Sequence, residues 1–467
     1  MSEPSPNQVP FVRGSPLDIL AAASTRANVR RAVMALAGPA LTEQLLVTLM
    51  EMLNLVMVSR LGAAATAAVG LTNQPVFFAT AAFMALNVGT TAIVARSIGA
   101  GRQEEANAAA RQSLALCAVL AVVLSTGGFL AARHIMTFMG AGPDVMEKGT
   151  VYFRLASVAL AFNALSLCLT AVLRGAGDTT TPMRINVVAD TVVLVVGLPL
   201  IYGLGGLPRL GVLGAGAASI VARVTSAVLA LLAVTSGRFA ISFRLRGQFR
   251  LDLGLLRRVL RVGFPAALEQ FVMRGGQLQF ARVVSGLGTA SYAAHQISIN
   301  LWSFSLMIGF GFAAGVTALV GQCLGARRPD WAERCAREGS FLAMMLSGGV
   351  GLICLLLAPW AMRLYTPDPA IVSQGSVALR IIGVVQPAQA AQLVLAGGLR
   401  GAGDTRWPLF ATTAGMWGFR VVLAEVFVRF LGWGLAGAWG AMAVDQMVRA
   451  VLISYRFRTG KWKRMRV

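Results

Sequence analysis

Six acidic side chains lie within long apolar segments of this 467-residue sequence, where a charge is costly and needs a partner or a task. Burial in general raises the pKa of a carboxyl group, so a buried acid can exchange protons near neutral pH. The chemistry that these residues favour is therefore proton uptake and release. The six acids are Glu43, Glu51, Asp190, Glu269, Glu425 and Asp445.

Two of these acids have a basic residue four positions later. Glu425 precedes Arg429 and Asp445 precedes Arg449, a spacing that puts both side chains on one face of a helix. We interpret these two acids as members of local ion pairs.

The first apolar segment carries a polar stripe. Glu43 and Asn54 share it, because eleven residues turn a helix by about 20° more than three full turns. Glu51 lies at its flank, three residues before Asn54. We interpret Glu51 as the candidate ion-coupling residue; the alternative is a polar packing or outer-vestibule residue.

Glu43 and Glu269 each follow a proline, Pro39 or Pro265, by four residues. A proline inside a helix leaves a carbonyl without its amide donor, so local hydrogen bonding has to be weighed as well. A cavity-lining acid and a structural lock near the inner side both stay open. Asp190 has no residue of opposite charge four positions away and is a weaker candidate for the cavity.

Arg274 and Gln277 lie deep in the seventh apolar segment. Because arginine does not lose its proton in proteins, we expect Arg274 to face an acid across the bundle, Glu51 being one candidate.

The tenth segment has a polar edge around Pro387, formed by Gln386, Gln389 and Gln392. Such an edge suits a water-filled cavity, and hydrogen bonding between helices explains it equally well. His295, alone in its segment, is interpreted as a structural hydrogen-bond donor, with a proton relay as the alternative.

The composition requires a membrane to position these groups. Hydrophobic residues make up 56% and charged residues only 13% of the chain, against about a quarter charged in soluble proteins. A bilayer core of about 30 Å needs roughly 20 apolar residues per helix, and the long runs lack the alternation of barrel strands. The sequence predicts an all-α polytopic membrane protein with twelve transmembrane helices. They are predicted at 33–58, 66–95, 113–132, 151–172, 185–202, 210–235, 259–285, 291–320, 340–362, 377–398, 408–431 and 434–456.

The net charge of +22 is distributed unevenly between the two sides of this topology. Segments on the side of the N-terminus carry about four times as many lysines and arginines as those opposite. We therefore expect both termini in the cytoplasm and a lipid bilayer, not nucleic acid, as the partner of the basic residues.

Motifs for other chemistries are missing from the sequence. The five cysteines are scattered, the two histidines are far apart, and no phosphate loop, HExxH or GxSxG occurs. We expect neither a metal nor an organic cofactor, and an enzyme is disfavoured.

The motif LRGAGDT occurs at 173–179 and again at 399–405, and further matches share the same offset of 226 residues. An even number of helices per copy predicts two homologous six-helix bundles with parallel pseudo-two-fold symmetry around a cavity, a plan that suits alternating access. The predicted parts are a polar cytoplasmic segment (1–31), the first bundle (32–235), a basic cytoplasmic linker (236–258), the second bundle (259–456) and a basic cytoplasmic tail (457–467).

The two LRGAGDT copies end helices at glycine-rich turns, where Arg and Asp can cap helix ends and pair locally. We predict a gate or hinge role, rather than substrate contact, for these residues and the two helix prolines. They are Pro39, Pro265, Arg174, Asp178, Arg400 and Asp404.

Taken together, the motifs resemble those of the multidrug and toxic compound extrusion (MATE) transporters, and most closely their bacterial DinF-type branch. They are LRGAGDT with a following proline in both halves, MVSRLG (57–62), AAHQI (293–297), ALVGQCLGA (318–326), VDQMVRA (444–450) and RFRTGKW (456–462). The resemblance implies an exporter in the bacterial inner membrane that expels organic molecules, often amphiphilic cations, by a proton or sodium gradient. The chain departs from the family pattern at Asn54, where the family usually has an aspartate, and at Leu198-Pro199, where it often has Asp-Pro.

We thus predict a monomeric antiporter that exports small amphiphilic, cationic organic compounds by alternating access, driven by inward protons. One alternative is a sodium-coupled exporter. The other is a flippase or exporter of anionic lipid-linked or metabolite substrates, favoured if Arg274, Arg282 and Arg420 line the cavity.

Overall fold

A computed structural model describes residues 16–22, 25–203, 206, 208–236 and 252–465. Within these residues the secondary structure is helical. Each of the twelve predicted spans coincides with one long, continuous helical segment, called a rod below. The helices are α1 (Pro16–Ala22), α2 (Arg26–Ser59), α3 (Ala63–Gly99), α4 (Gln103–Phe138), α5 (Pro143–Gly175), α6 (Thr180–Tyr202), α7 (Val212–Thr235), α8 (Leu253–Ser285), α9 (Thr289–Gly325), α10 (Pro329–Arg363), α11 (Pro369–Gly401), α12 (Arg406–Thr413), α13 (Val422–Glu425) and α14 (Gly434–Arg458).

The eleventh rod changes its helical type along its length. It runs over Arg406–Phe430 and contains α12 and α13 together with two π-helical segments, Ala414–Val421 and Val426–Phe430. π-helical turns are rare and often occur at functional sites.

Ten of the rods in the described part are long and apolar enough to cross a membrane. The other two, α8 and α14, have similar lengths but are less apolar. The all-helical polytopic membrane fold predicted from the sequence is confirmed.

Some predicted parts are only partly described. Residues 1–15 of the polar N-terminal segment and residues 237–251 of the basic linker lie outside the described residues. In the same N-terminal segment, α1 buries Leu17 and Leu20.

The helices begin and end at the expected residue types. Pro143, Pro329 and Pro369 open α5, α10 and α11, where the missing amide hydrogen costs nothing. Gly177 and Gly403, in the two LRGAGDT turns, have φ angles of 92° and 87°, which a residue with a side chain rarely adopts.

The two halves of the sequence repeat the same helix packing. The fifth helix, α5, packs against α3, α4 and α7, and its counterpart α11 packs against α9, α10 and α14. Thr91 Oγ1 donates to the carbonyl of Ala171 at 3.0 Å, and Thr317 Oγ1 donates to that of Gly397 at 2.9 Å. The donor and the acceptor of the second bond each lie 226 positions after those of the first. The duplication is therefore visible in the geometry as well as in the sequence.

The helices divide into two compact units. One contains Met1–Gln44 with Phe264–Val467, and the other contains Leu45–Gly263. The boundaries fall inside α2 and α8, so the first part of each of these helices is grouped with the other half of the sequence. The bundle boundaries predicted at 32–235 and 259–456 stay predictions.

Candidate functional site

A buried charge cluster lies in the unit that contains Phe264–Val467. Asp445 in α14 accepts hydrogen bonds from Arg449 Nε at 2.7 Å and from Arg420 Nε at 2.8 Å. The three side chains are only 0%, 5% and 4% exposed, respectively. One carboxylate therefore balances two guanidinium groups, which leaves the cluster with a net positive charge in an apolar setting.

Aromatic rings surround one side of this cluster. The Arg420 guanidinium lies over the Phe280 ring, 5.7 Å from its centre, so the ring face offsets part of the excess positive charge. His295 is 2% exposed and packs against Phe280 and Trp439, with ring centres 5.7 and 5.8 Å away. Its Nδ1 atom has no hydrogen-bond partner among the described residues.

The first π-helical segment brings the backbone close to the carboxylate. A Cβ atom on Gly415 would lie 2.3 Å from Asp445 Oδ1 and 2.6 Å from Arg449 Cγ. Only glycine leaves room for the carboxylate at this position. Gly418 belongs to the same segment and has nothing within 4 Å of such an atom.

Gly415→Ala is therefore expected to displace Asp445 and to lower the free energy of unfolding by about 1–3 kcal/mol, the usual range for overpacking. Gly418→Ala adds the same methyl group to open space and serves as the control. Both are measured by thermal unfolding of the detergent-purified protein. Equal stability of the two variants would contradict the observed packing.

Polar side chains of α9 and α11 bond to each other. Trp302 Nε1 donates to Gln389 Oε1 at 3.0 Å, and Ser305 Oγ donates to Gln386 Oε1. All four side chains are buried. Of the two explanations that the sequence left open for this polar edge, the geometry favours hydrogen bonding between helices.

Glu269 is held by groups from two other elements. Its Oε1 and Oε2 accept from Arg400 Nη2 at 2.7 and 2.9 Å, and its Oε1 also accepts from Thr412 Oγ1 at 2.9 Å. The carboxylate is 3% exposed. For Glu269 the geometry favours the role of a structural lock over that of a cavity-lining acid, because its bonds tie α8 to the end of α11 and to α12.

The two aspartates of the repeated motif have different partners. Asp178 Oδ1 accepts from the backbone amides of Thr180 and Thr181 at 2.9 and 3.0 Å, which satisfies the first turn of α6. Asp404 Oδ2 instead accepts from Arg456 Nε of α14 at 2.7 Å. Both contacts are structural, and the hinge or gate role of the motif stays a prediction.

The remaining predicted hinge residues occupy ordinary helical positions. Arg174 is half-buried at the end of α5. Pro39 and Pro265 lie inside α2 and α8, which continue through them.

The other acids and the asparagine predicted as coupling residues lie in α2 and α6. Glu43 is 5% exposed in α2, whereas Asn54 in the same helix and Asp190 in α6 are half-buried. Glu51 lies in α2, but its side chain is outside the described part of the structure.

In α8, Arg274 is exposed and donates to Gln277 Oε1 at 3.3 Å. The acid partner that the sequence predicted for it, Glu51, has an undescribed side chain. That pairing stays a prediction.

Both local ion pairs predicted from spacing are present. Arg429 Nε lies 2.7 Å from Glu425 Oε2, and Arg449 pairs with Asp445 as described. Sequence reasoning missed that Arg420 also bonds to Asp445 and that Arg456 bonds to Asp404. The sequence feature that could have pointed to Arg420 is a cation within an apolar run that has no acid three or four residues away.

Among the described residues no group of three His, Cys, Asp or Glu could hold a metal ion.

Long apolar helices with buried ion pairs, arranged as a duplicated set, define a polytopic membrane transporter. The MatE family model matches residues 39–202 and 265–426, once in each half and with starts 226 positions apart. The chain belongs to the MATE family of membrane transporters.

Relatives of full length support this assignment. The chain is 31% identical over 448 residues, 94% of either chain, to a protein of Thermotoga maritima described as "Probable multidrug resistance protein NorM". It is 26% identical over 431 residues, 92% of this chain and 94% of the other, to "Uncharacterized transporter YisQ" of Bacillus subtilis.

Solved structures agree over the whole length. One described as "Outward-facing conformation of a multidrug resistance MATE family transporter of the MOP superfamily" has a TM-score of 0.85 at 25% identity and covers 99% of this chain and 100% of that chain. A MOP superfamily transporter from Pyrococcus furiosus, whose description refers to the "reverse polarity of binding pocket", also has a TM-score of 0.85 at 25% identity and covers 98% of each chain.

Proposed function

We propose that this protein is a secondary active efflux transporter that exports amphiphilic, cationic organic compounds by alternating access in exchange for inward protons. The observation that carries the proposal is membership of a transporter family over both halves of the chain. The printed description of the Thermotoga maritima relative as a multidrug resistance protein supports drug-like cargo.

Three of the six acids in the apolar segments are paired with arginines. Arginine partners hold Glu269, Glu425 and Asp445, and two of these acids have further bonds that fix their position. We propose Glu51 as the first candidate for coupling, because it flanks the polar stripe of α2 three residues before Asn54, and Glu43 and Asp190 as further candidates.

The position of Arg420 weighs against the flippase alternative. That alternative is favoured if Arg274, Arg282 and Arg420 line the cavity and meet an anionic headgroup. The Arg420 guanidinium is instead 4% exposed and bonded to Asp445. The proposed cargo is accordingly a cation rather than an anionic lipid precursor.

The proton gradient is a sufficient source of energy. One proton moving inward across about 100 mV supplies roughly 2.3 kcal/mol. Each unit of pH gradient adds about 1.4 kcal/mol. Exchange of one proton for one singly charged cation moves no net charge, so the potential term cancels and a one-unit pH gradient holds a substrate concentration gradient of about tenfold.

The remaining parts of the proposal concern location. We propose that both termini lie in the cytoplasm, which the excess of Lys and Arg on one side supports, and that the protein acts as a monomer in the bacterial inner membrane.

An accumulation assay in cells tests the proposed function. Expression in a bacterial strain that lacks its main efflux pumps is expected to lower ethidium accumulation relative to an empty vector, and a protonophore is expected to restore it. Unchanged accumulation across several amphiphilic cations would contradict drug export. Efflux that survives the protonophore but stops without sodium would contradict proton coupling and leave export intact.

A further inference from the structure

A groove lies among α10, α11 and α14 within the unit that contains Phe264–Val467. Its volume is about 450 Å³. Its basic end is formed by Arg337 and Arg458, and Ser340 and Ser454 contribute hydroxyl groups to its lining. Along the rest of its length the lining is apolar.

The apolar part of the groove opens to the outside of the helix bundle. Phe341 and Met344 are 41% and 37% exposed, whereas Leu395 and Phe457 are buried at its base. From Arg337 to Met344 the groove follows α10 for about 10 Å, at 1.5 Å per residue. An open apolar slot on the outside of a membrane helix bundle suits a lipid acyl chain.

The basic end of the groove has more cations than the neighbouring acids neutralise. Arg337 Nη2 pairs with Glu333 Oε1 at 2.5 Å, but Glu333 also pairs with Lys463. Arg458 is exposed and has no ion-pair partner among the described residues. The mouth of the groove is therefore positively charged.

A second cationic pair borders the same groove. Arg26 and Arg30 share one carboxylate, Glu338, at 2.6 and 2.9 Å. Both guanidinium groups also lie 5.5 Å from the centre of the Phe341 ring, on the apolar lining. Phe341 thus connects a cationic rim to the apolar slot.

We propose that this groove is a binding site for an anionic phospholipid of the surrounding membrane. The phosphate group lies between Arg337 and Arg458, and one acyl chain follows the slot past Phe341 and Met344 towards Leu395. Charge complementarity selects the headgroup, and the open apolar slot selects a ligand with a chain. The bound lipid is a resident of the groove and not the exported cargo.

Native mass spectrometry of the detergent-purified protein tests this site with phosphatidylglycerol and phosphatidylcholine that have the same acyl chains. Wild type is expected to retain phosphatidylglycerol in preference to phosphatidylcholine. The double variant Arg337→Gln/Arg458→Gln is expected to weaken phosphatidylglycerol binding about 25-fold, at about fivefold for each cation near an anionic headgroup. The matched control Lys461→Gln/Arg464→Gln removes two exposed charges of the same basic region that do not line the groove. It is expected to leave binding within about twofold of wild type.

Two further arms separate the headgroup from the chain. Ala391→Trp fills the slot and is expected to reduce retention of both lipids, whereas glycerol 3-phosphate, which has no chain, is expected not to displace phosphatidylglycerol. Equal retention of the two lipids, an equal loss in the control variant, or displacement by glycerol 3-phosphate would each overturn the proposal. The assay contains no cargo and no ion gradient, so its outcome is independent of the proposed transport activity.

Discussion

Asp445→Asn is expected to lower the free energy of unfolding by about 3–5 kcal/mol, the usual cost of removing one partner of a buried ion pair. The aspartate is fully buried and is the shared counter-charge of Arg420 and Arg449. With asparagine in its place, two guanidinium groups would face each other without a carboxylate. Arginine cannot relieve this by losing a proton.

Denaturation of the detergent-purified protein measures this loss of stability. Two further variants serve as comparisons. Glu425→Gln removes the acid of an exposed pair, in which Arg429 is 67% exposed, and is expected to cost at most about 1 kcal/mol. Adding Arg420→Gln to Asp445→Asn leaves one uncompensated cation instead of two and is expected to recover part of the loss. If the double variant were less stable than Asp445→Asn alone, the shared-carboxylate interpretation would be wrong.

Glu51→Gln is expected to abolish proton-dependent efflux and to raise ethidium accumulation to that of cells with an empty vector. Glutamine keeps the size and hydrogen bonding of glutamate but cannot take up a proton in this range. Glu104→Gln, an exposed acid in the first turn of α4, is the matched control and is expected to retain wild-type efflux. Membrane-inserted protein is quantified for each variant, so that a loss of expression is not counted as a loss of coupling.

The same assay ranks the other candidate acids. Glu43→Gln and Asp190→Asn are expected to lower efflux less than Glu51→Gln does. Full efflux with Glu51→Gln would remove Glu51 from the mechanism, and loss with either of the others would then assign coupling to that residue.

Much of the fold is predictable because it follows from local composition. The apolar runs give the twelve rods, and the repeated LRGAGDT motif gives the duplication with its exact offset. The rods extend beyond the predicted spans, because hydropathy ends where the hydrocarbon ends while the helical hydrogen bonds continue. The π-helical segments could not be predicted, since π-helices are rare and no residue pattern in the sequence marks them.

The site is less predictable, because its bonds join residues far apart in the sequence. The pair of Asp445 with Arg449 follows from helical spacing alone, whereas Arg420 joins it from 25 residues away. Glu269 and Arg400 are 131 residues apart, so the lock depends on how α8, α11 and α12 pack. Each of these charged residues is recognisable in the sequence because it lies in an apolar run, but the residue that it bonds to is not.

The duplication preserved the scaffold more strictly than the polar interior. The threonine bonds of Thr91 and Thr317 are equivalent in the two halves. At the same offset of 226, the positions of Trp302 and Gln389 correspond to Val76 and Asn163, so the tryptophan–glutamine bond belongs to the second half alone. The two halves therefore share the way their helices cross, whereas this buried polar contact belongs to the second half.

Counter-transport by the purified protein in liposomes tests the central claim, the exchange of protons for organic cations, most directly. In sodium-free buffer, an acidic lumen is expected to drive accumulation of the permanently charged ethidium cation by wild type, and dissipation of the pH gradient is expected to stop it. Glu51→Gln liposomes are expected to accumulate no more ethidium than protein-free ones. Accumulation that follows a sodium gradient and ignores the pH gradient would contradict the account.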